Sequence, residues 1–166
     1  MKYYAGIGSR NTPETVLNQM SDIAAHLGSL NYTLRSGGAE GADTAFETGC
    51  ALYPKQIYLP WKGFNGLTGI VGDTLPTWQR ARQITLNTHP APDRLSAGAV
   101  KLHTRNVFQV LGSDLKTPVD FIVCWTVDGR NTGGTGQAMR IANSYIIPIY
   151  NLYFPDQYNT VMQFIK

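Results

Sequence analysis

Charge, cysteine and histidine are all sparse in this chain. Charged side chains make up 15% of its 166 residues, and the net charge is +3. No run of Lys or Arg occurs, which argues against a protein that tracks a nucleic-acid backbone. The two cysteines, Cys50 and Cys124, stand in apolar surroundings and read as reduced core residues, not as a redox pair. His26, His89 and His103 have no metal-ligand spacing. No stretch holds the roughly 20 apolar residues that cross a bilayer. The opening Met1-Lys2-Tyr3-Tyr4-Ala5-Gly6 reads as a strand, not a secretion signal. The expectations are therefore a cytoplasmic protein with no membrane partner, no metal and no cofactor. Walker and nucleophile-elbow motifs are missing too, as are repeats and low-complexity tracts.

What the chain has is glycine, at three particular places. Gly6-Ile7-Gly8-Ser9-Arg10, Ser36-Gly37-Gly38-Ala39-Glu40-Gly41-Ala42-Asp43 and Gly133-Gly134-Thr135-Gly136-Gln137 each follow a short apolar run and precede a helical pattern. Glycine at a strand-to-helix handover lets a ligand approach the backbone, and the free N–H groups of a helix start attract anions. Three such turns predict one pocket for a small phosphorylated ligand.

The elements between them alternate. Strands are expected at Tyr3–Ile7, Tyr32–Leu34, Gln56–Leu59, Phe121–Trp125 and Ile146–Tyr150. A first helix should be capped by Thr12, with Pro13 at its first position, and bury Val16, Leu17, Met20, Ile23, Ala24 and Leu27. Further helices are expected over Glu40–Leu52, Asp93–Leu111, from the third glycine turn to Tyr145, and over Asp156–Lys166. Leu95, Ala99, Leu102, Val110 and Leu111 are the candidates for the buried side of the second of these. Between Pro60 and Pro92 the pattern breaks into four glycines, four prolines and two tryptophans. That stretch reads as an ordered insertion forming a flap beside the pocket. The fold class is α/β: a single domain over residues 1–166 with a doubly wound, mostly parallel, Rossmann-like sheet and the insertion at 60–92.

Each turn offers ligand groups. Gly8, Ser9 and Arg10 suit phosphate oxygens, as do Arg35, Ser36, Gly37 and Gly38. Glu40 and Asp43 can bind ribose hydroxyls, act as acid or base, or simply favour a helix start. Thr126 and Asp128 sit where a ribose or base could reach, next to Gly133, Gly134, Thr135, Gly136 and Gln137. Trp61 is the better candidate for stacking on a base, and Trp125 reads as core. Lys101, Arg105, Asn106 and Gln109 read as a polar helix face, from which Arg105 or Asn106 could reach the pocket.

The same residues resemble the SLOG superfamily, which joins the DNA-processing protein DprA/Smf with the LOG phosphoribohydrolases. Gly6-Ile7-Gly8-Ser9-Arg10 is similar to the first turn of DprA-type domains. Ser36-Gly37-Gly38-Ala39-Glu40-Gly41-Ala42-Asp43 resembles their Ser-Gly-x-Ala-x-Gly-x-Asp signature, and Gly133-Gly134-Thr135-Gly136 the Gly-Gly-x-Gly core of the LOG motif. The nearest likeness is to small stand-alone DprA-like proteins, many of them phage-encoded. The resemblance implies a Rossmann-like fold, a nucleotide pocket on the glycine edge and a homodimer or higher homo-oligomer. LOG enzymes and related N-glycosidases place a glutamate on the helix after the third turn, where this chain has Arg140 or Ala138. The expectation is thus a binder of a nucleotide or ADP-ribose-like ligand that sequesters it uncleaved, including cyclic ADP-ribose-type immune signals. The alternatives are a nucleoside 5'-monophosphate N-glycosidase using Glu40 or Glu47, and DprA-like single-stranded DNA binding.

Overall fold

The computed structural model describes residues 1–163. Six strands, β1 (Lys2–Gly6), β2 (Tyr32–Ser36), β3 (Lys55–Leu59), β4 (Ile70–Val71), β5 (Phe121–Cys124) and β6 (Ile149–Asn151), form one sheet in the order β4-β3-β2-β1-β5-β6. Every pairing is parallel. The helices are α1 (Glu14–Ser29), α2 (Ala42–Gly49), α3 (Trp78–Thr88), α4 (Ala97–Leu111), α5 (Gly133–Ser144) and α6 (Gln157–Gln163). The fold is doubly wound α/β and Rossmann-like.

Alternation along β1 builds both halves of the core. Tyr3, Ala5 and Ile7 pack with side chains of α3, α4 and α5 on one face. Tyr4 packs with those of α1, α2 and α6 on the other. β5 is buried throughout, as a central parallel strand must be. The chain winds to one side of β1 through β2, β3 and β4, then returns to the other side through β5 and β6. The reversal between β1 and β5 opens a crevice at the strands' carboxyl ends, where such sheets take their ligands.

Several element boundaries depart from the sequence-based expectations. Thr12 does not cap α1: its hydroxyl donates to the Ser9 carbonyl, and Pro13 occupies the cap position with no side-chain cap. α2 is shorter than 40–52: Gly41, at φ 83°, lies outside helical geometry and delays its start to Ala42, and it ends at Gly49. α4 starts at Ala97, capped by Ser96, whose oxygen accepts from the Ala99 amide. Leu95 precedes it, and Ala99 and Leu102 are only half-buried. β6 begins at Ile149, after Ile146 has taken the left-handed conformation. The expected helix at 156–166 is seen as α6, and its end at 164–166 lies outside the described residues.

The 60–92 insertion is ordered, as expected, and it extends the core. It adds β4 to the edge of the sheet and α3 to the α4–α5 layer. None of its residues lines the cleft at the β1–β5 crevice, so it is not a flap over that cleft.

Candidate functional site

At the crevice lies a cleft of about 450 Å³. The turn after β1 contributes Gly8, Ser9, Arg10 and Asn11, the β2–α2 connection Ala39, the first turn of α2 Asp43, and the segment after β5 Thr126 and Val127. The start of α5 contributes Gly133, Gly134 and Thr135. The three glycine turns therefore converge on one edge. α4 forms the remaining wall through Ala99, Leu102, His103, Arg105, Asn106 and Gln109.

Glycine at position 8 is required by packing. A Cβ there would stand 2.6 Å from the Ala42 Cβ and 3.3 Å from the Trp125 carbonyl. The third turn does not precede its helix but forms its first turn, since Gly133, Gly134 and Gly136 all lie within α5. The first amides of a helix have no intrahelical acceptor, and no side chain caps this one. Arg140 supports the turn from behind, donating to the Asn131 carbonyl and to Gln137 Oε1.

Arg105 is the most unusual group in the wall. It is 9% exposed, and its Nε and Nη1 donate to nothing. The guanidinium lies 5.0 Å from the centre of the Phe64 ring, so the insertion props this residue from behind. Burial lowers the Arg105 pKa, and the Asp43 carboxyl opposes that shift. Asp43, at 4% exposure, is the one acid lining the cleft among the described residues. Its Oδ2 accepts from the Ala39 amide at 3.1 Å. Burial nonetheless raises its pKa to about 6, against the pull of Arg105 and the backbone amides. His103 is pushed down to about 4 by burial and by His89, Arg140 and Arg105, so its imidazole is neutral at pH 7. Its ring lies 5.0 Å from that of His89.

Other expected site residues lie elsewhere. Arg35 points to the opposite end of the α4 layer, where Nε donates to Gln56 Oε1 at 2.8 Å and Nη1 to the Thr117 carbonyl at 2.6 Å. Its guanidinium also lies over the Tyr3 ring. Ser36 is fully buried and donates to the Gly6 carbonyl. Gly37 and Gly38 sit behind the cleft wall, Gly37 against Arg105, Gln109 and Asp43 and Gly38 against Leu59 and Leu67. Gly136 packs on the Asn131 backbone, and Gln137 is buried, binding Thr88. Trp61 packs edge-on against Phe64, outside the cleft. Glu40 and Asp128 are exposed, Glu47 is half-buried, and none of the three lines the cleft. Thr126 lines it, with its hydroxyl accepting from Asn151 Nδ2. Arg140 and Ala138 bring no carboxylate to the cleft.

Asn11, His103 and Gln109 are among the cleft residues that sequence reading did not name as ligand groups. For Gln109 the sequence held a faint signal, since Val107, Phe108, Val110 and Leu111 flank it, and the structure buries Thr104 through Leu111 without a break. A helix end with apolar residues on every side leaves no solvent face for the polar residues among them.

No family model, curated protein or solved structure matches this chain. No described helix is long and apolar enough to cross a membrane, and no described group of three or more His, Cys, Asp or Glu could hold a metal ion.

Proposed function

We propose that this chain binds a nucleotide or ADP-ribose-like ligand in the β1–β5 crevice and holds it without cleavage. The observation that carries this reading is convergence: the uncapped start of α5, the Ser9–Arg10 turn and Arg105, with its unmet Nε and Nη1, all meet one cleft. Helix-start amides and a guanidinium are what phosphate oxygens require. The likeness to the SLOG superfamily points the same way and extends the ligand class to cyclic ADP-ribose-type signals. Isothermal titration with AMP, ADP, ADP-ribose and cyclic ADP-ribose tests the reading. Saturable binding, with the ligand recovered intact by chromatography after heat release, supports it. No binding by any of them overturns it.

A nucleotide N-glycosidase is the second reading, and Asp43 is what favours it. An N-glycosidic cleavage needs a carboxylate near the oxocarbenium-like centre. Glu40 and Glu47 do not line the cleft, whereas Asp43 does. Release of free base from a nucleotide panel, abolished in Asp43→Asn, would establish this activity over simple sequestration.

A further inference from the structure

The cleft has a floor, set apart from the helix start that suits a phosphate. Arg105 and Gln109 reach under the β2–α2 connection, where a Cβ on Gly37 would meet both. The start of α5 follows β5, on the other side of β1. One side chain, Asn106, bridges the two ends, from the Gly134 carbonyl to Gln109 Nε2.

The hydrogen-bond vacancies of the floor follow from one carbonyl. The Gly134 carbonyl can only accept, so Asn106 must turn its NH2 toward it, and Nδ2 stands at 2.9 Å. Asn106 Oδ1 therefore faces Gln109, which must donate from Nε2, at 3.3 Å. Gln109 Oε1 is left buried and accepts nothing, while Arg105 Nε and Nη1 donate to nothing. The floor thus holds unmet donors and an unmet acceptor, with Asp43 beside them. A second anion would satisfy Arg105, leave Gln109 Oε1 unmet and be buried against the Asp43 carboxyl. An apolar group would satisfy neither. A neutral group that both accepts and donates from adjacent atoms satisfies both.

We propose that the floor made by Asp43, Arg105 and Gln109 takes a neutral donor–acceptor group of the same ligand whose phosphate lies on α5. This rests on the binding reading given above. Two sources supply such chemistry, the vicinal hydroxyls of a ribose and the lactam edge of a 6-oxopurine.

Calorimetric titrations with inorganic phosphate, ribose 5-phosphate, 2-deoxyribose 5-phosphate, AMP and IMP separate them. A buried hydrogen-bonding group left unmet typically costs enough for about a tenfold loss of affinity. Ribose 5-phosphate should bind about tenfold tighter than its 2-deoxy analogue if the floor takes the diol. IMP should bind about tenfold tighter than AMP if it takes the lactam edge. Gln109→Met should erase whichever preference is found. If phosphate-bearing probes bind but neither preference exists in the unaltered protein, the floor inference falls and the phosphate reading stands. If none of these probes binds, the floor inference falls, and if ADP, ADP-ribose and cyclic ADP-ribose fail as well, the binding reading falls with it. The comparison of preferences uses the unaltered protein, so it does not depend on the variant folding.

Discussion

Asn106 donates from Nδ2 to the Gly134 carbonyl at 2.9 Å, tying the middle of α4 to the first turn of α5. The wall of the cleft and its anion-attracting helix start are thereby held in one register. Asn106→Leu removes the tie and leaves Gln109 Nε2 without its acceptor. A buried side-chain bond of this kind contributes about 1 kcal/mol, and orphaning the partner adds about 1–3 kcal/mol. Thermal unfolding should show that loss. Phosphate affinity should fall in the same variant, because the amides of Gly133 to Thr135 would no longer be held facing the cleft.

Asp43 and His103 should impose opposite pH slopes on stability. The folded chain keeps a proton on Asp43 up to about pH 6, whereas the unfolded chain releases it near 3.8. Stability therefore falls as pH rises through that window, by an amount of about 2–3 kcal/mol for so buried a group. His103 does the reverse. The unfolded chain takes up a proton below 6.5 that the folded chain refuses until about 4, so stability rises with pH between those values. Unfolding midpoints from pH 4 to 6.5 should steepen upward in Asp43→Asn and turn downward in His103→Gln, each relative to the unaltered protein.

The parallel sheet and the meeting of the three turns were legible because each strand–glycine–helix handover is local. Arg35 was misplaced because a strand's faces alternate, and position within the turn says nothing of face. Leu34 belongs to the core face packed by α1 and α2, so its neighbour Arg35 points to the other layer, where Gln56 and Thr117 receive it. The helix Trp78–Thr88 was hidden for a different reason. Its two fully buried residues are Ala81 and Thr85, too small and too polar to mark an apolar stripe, and Gln79, Arg80, Arg82 and Gln83 are exposed around them. The α4 wall was hidden because its polar residues work inside the protein, where periodicity reads polarity as exposure.

Ile146 follows the end of α5 with φ 56° and is 92% exposed. A β-branched residue is a poor occupant of the left-handed region, and glycine is the usual one where a helix ends this way. Burial gives Ile146 almost nothing in return. Ile146→Gly should raise stability by about 1 kcal/mol, seen as a higher unfolding midpoint, and leave ligand affinity unchanged because the residue is remote from the cleft.

Arg105 should be the residue at which function and stability separate. Its charge is buried, its Nε and Nη1 donate to nothing, and its pKa is lowered by that burial. Replacing a buried ion pair with apolar side chains of similar volume is often stabilising by about 1–4 kcal/mol, whereas removing one charge and leaving its partner ionised and buried is destabilising. Arg105→Met keeps the contact with Phe64 and removes the desolvated guanidinium. It also strips Asp43 of the positive neighbour that holds its pKa down, so its pKa climbs further and at pH 7 the buried carboxyl must either stay charged unpaired or take up a proton, each at a cost. At pH 5 Asp43 is protonated and that penalty vanishes. The variant should therefore be more stable than the parent at pH 5, with a smaller gain or none at pH 7, and should lose nucleotide binding at both. Paired unfolding and titration measurements at the two pH values check this, and a variant less stable than the parent at pH 5 would show that Arg105 has a structural partner after all.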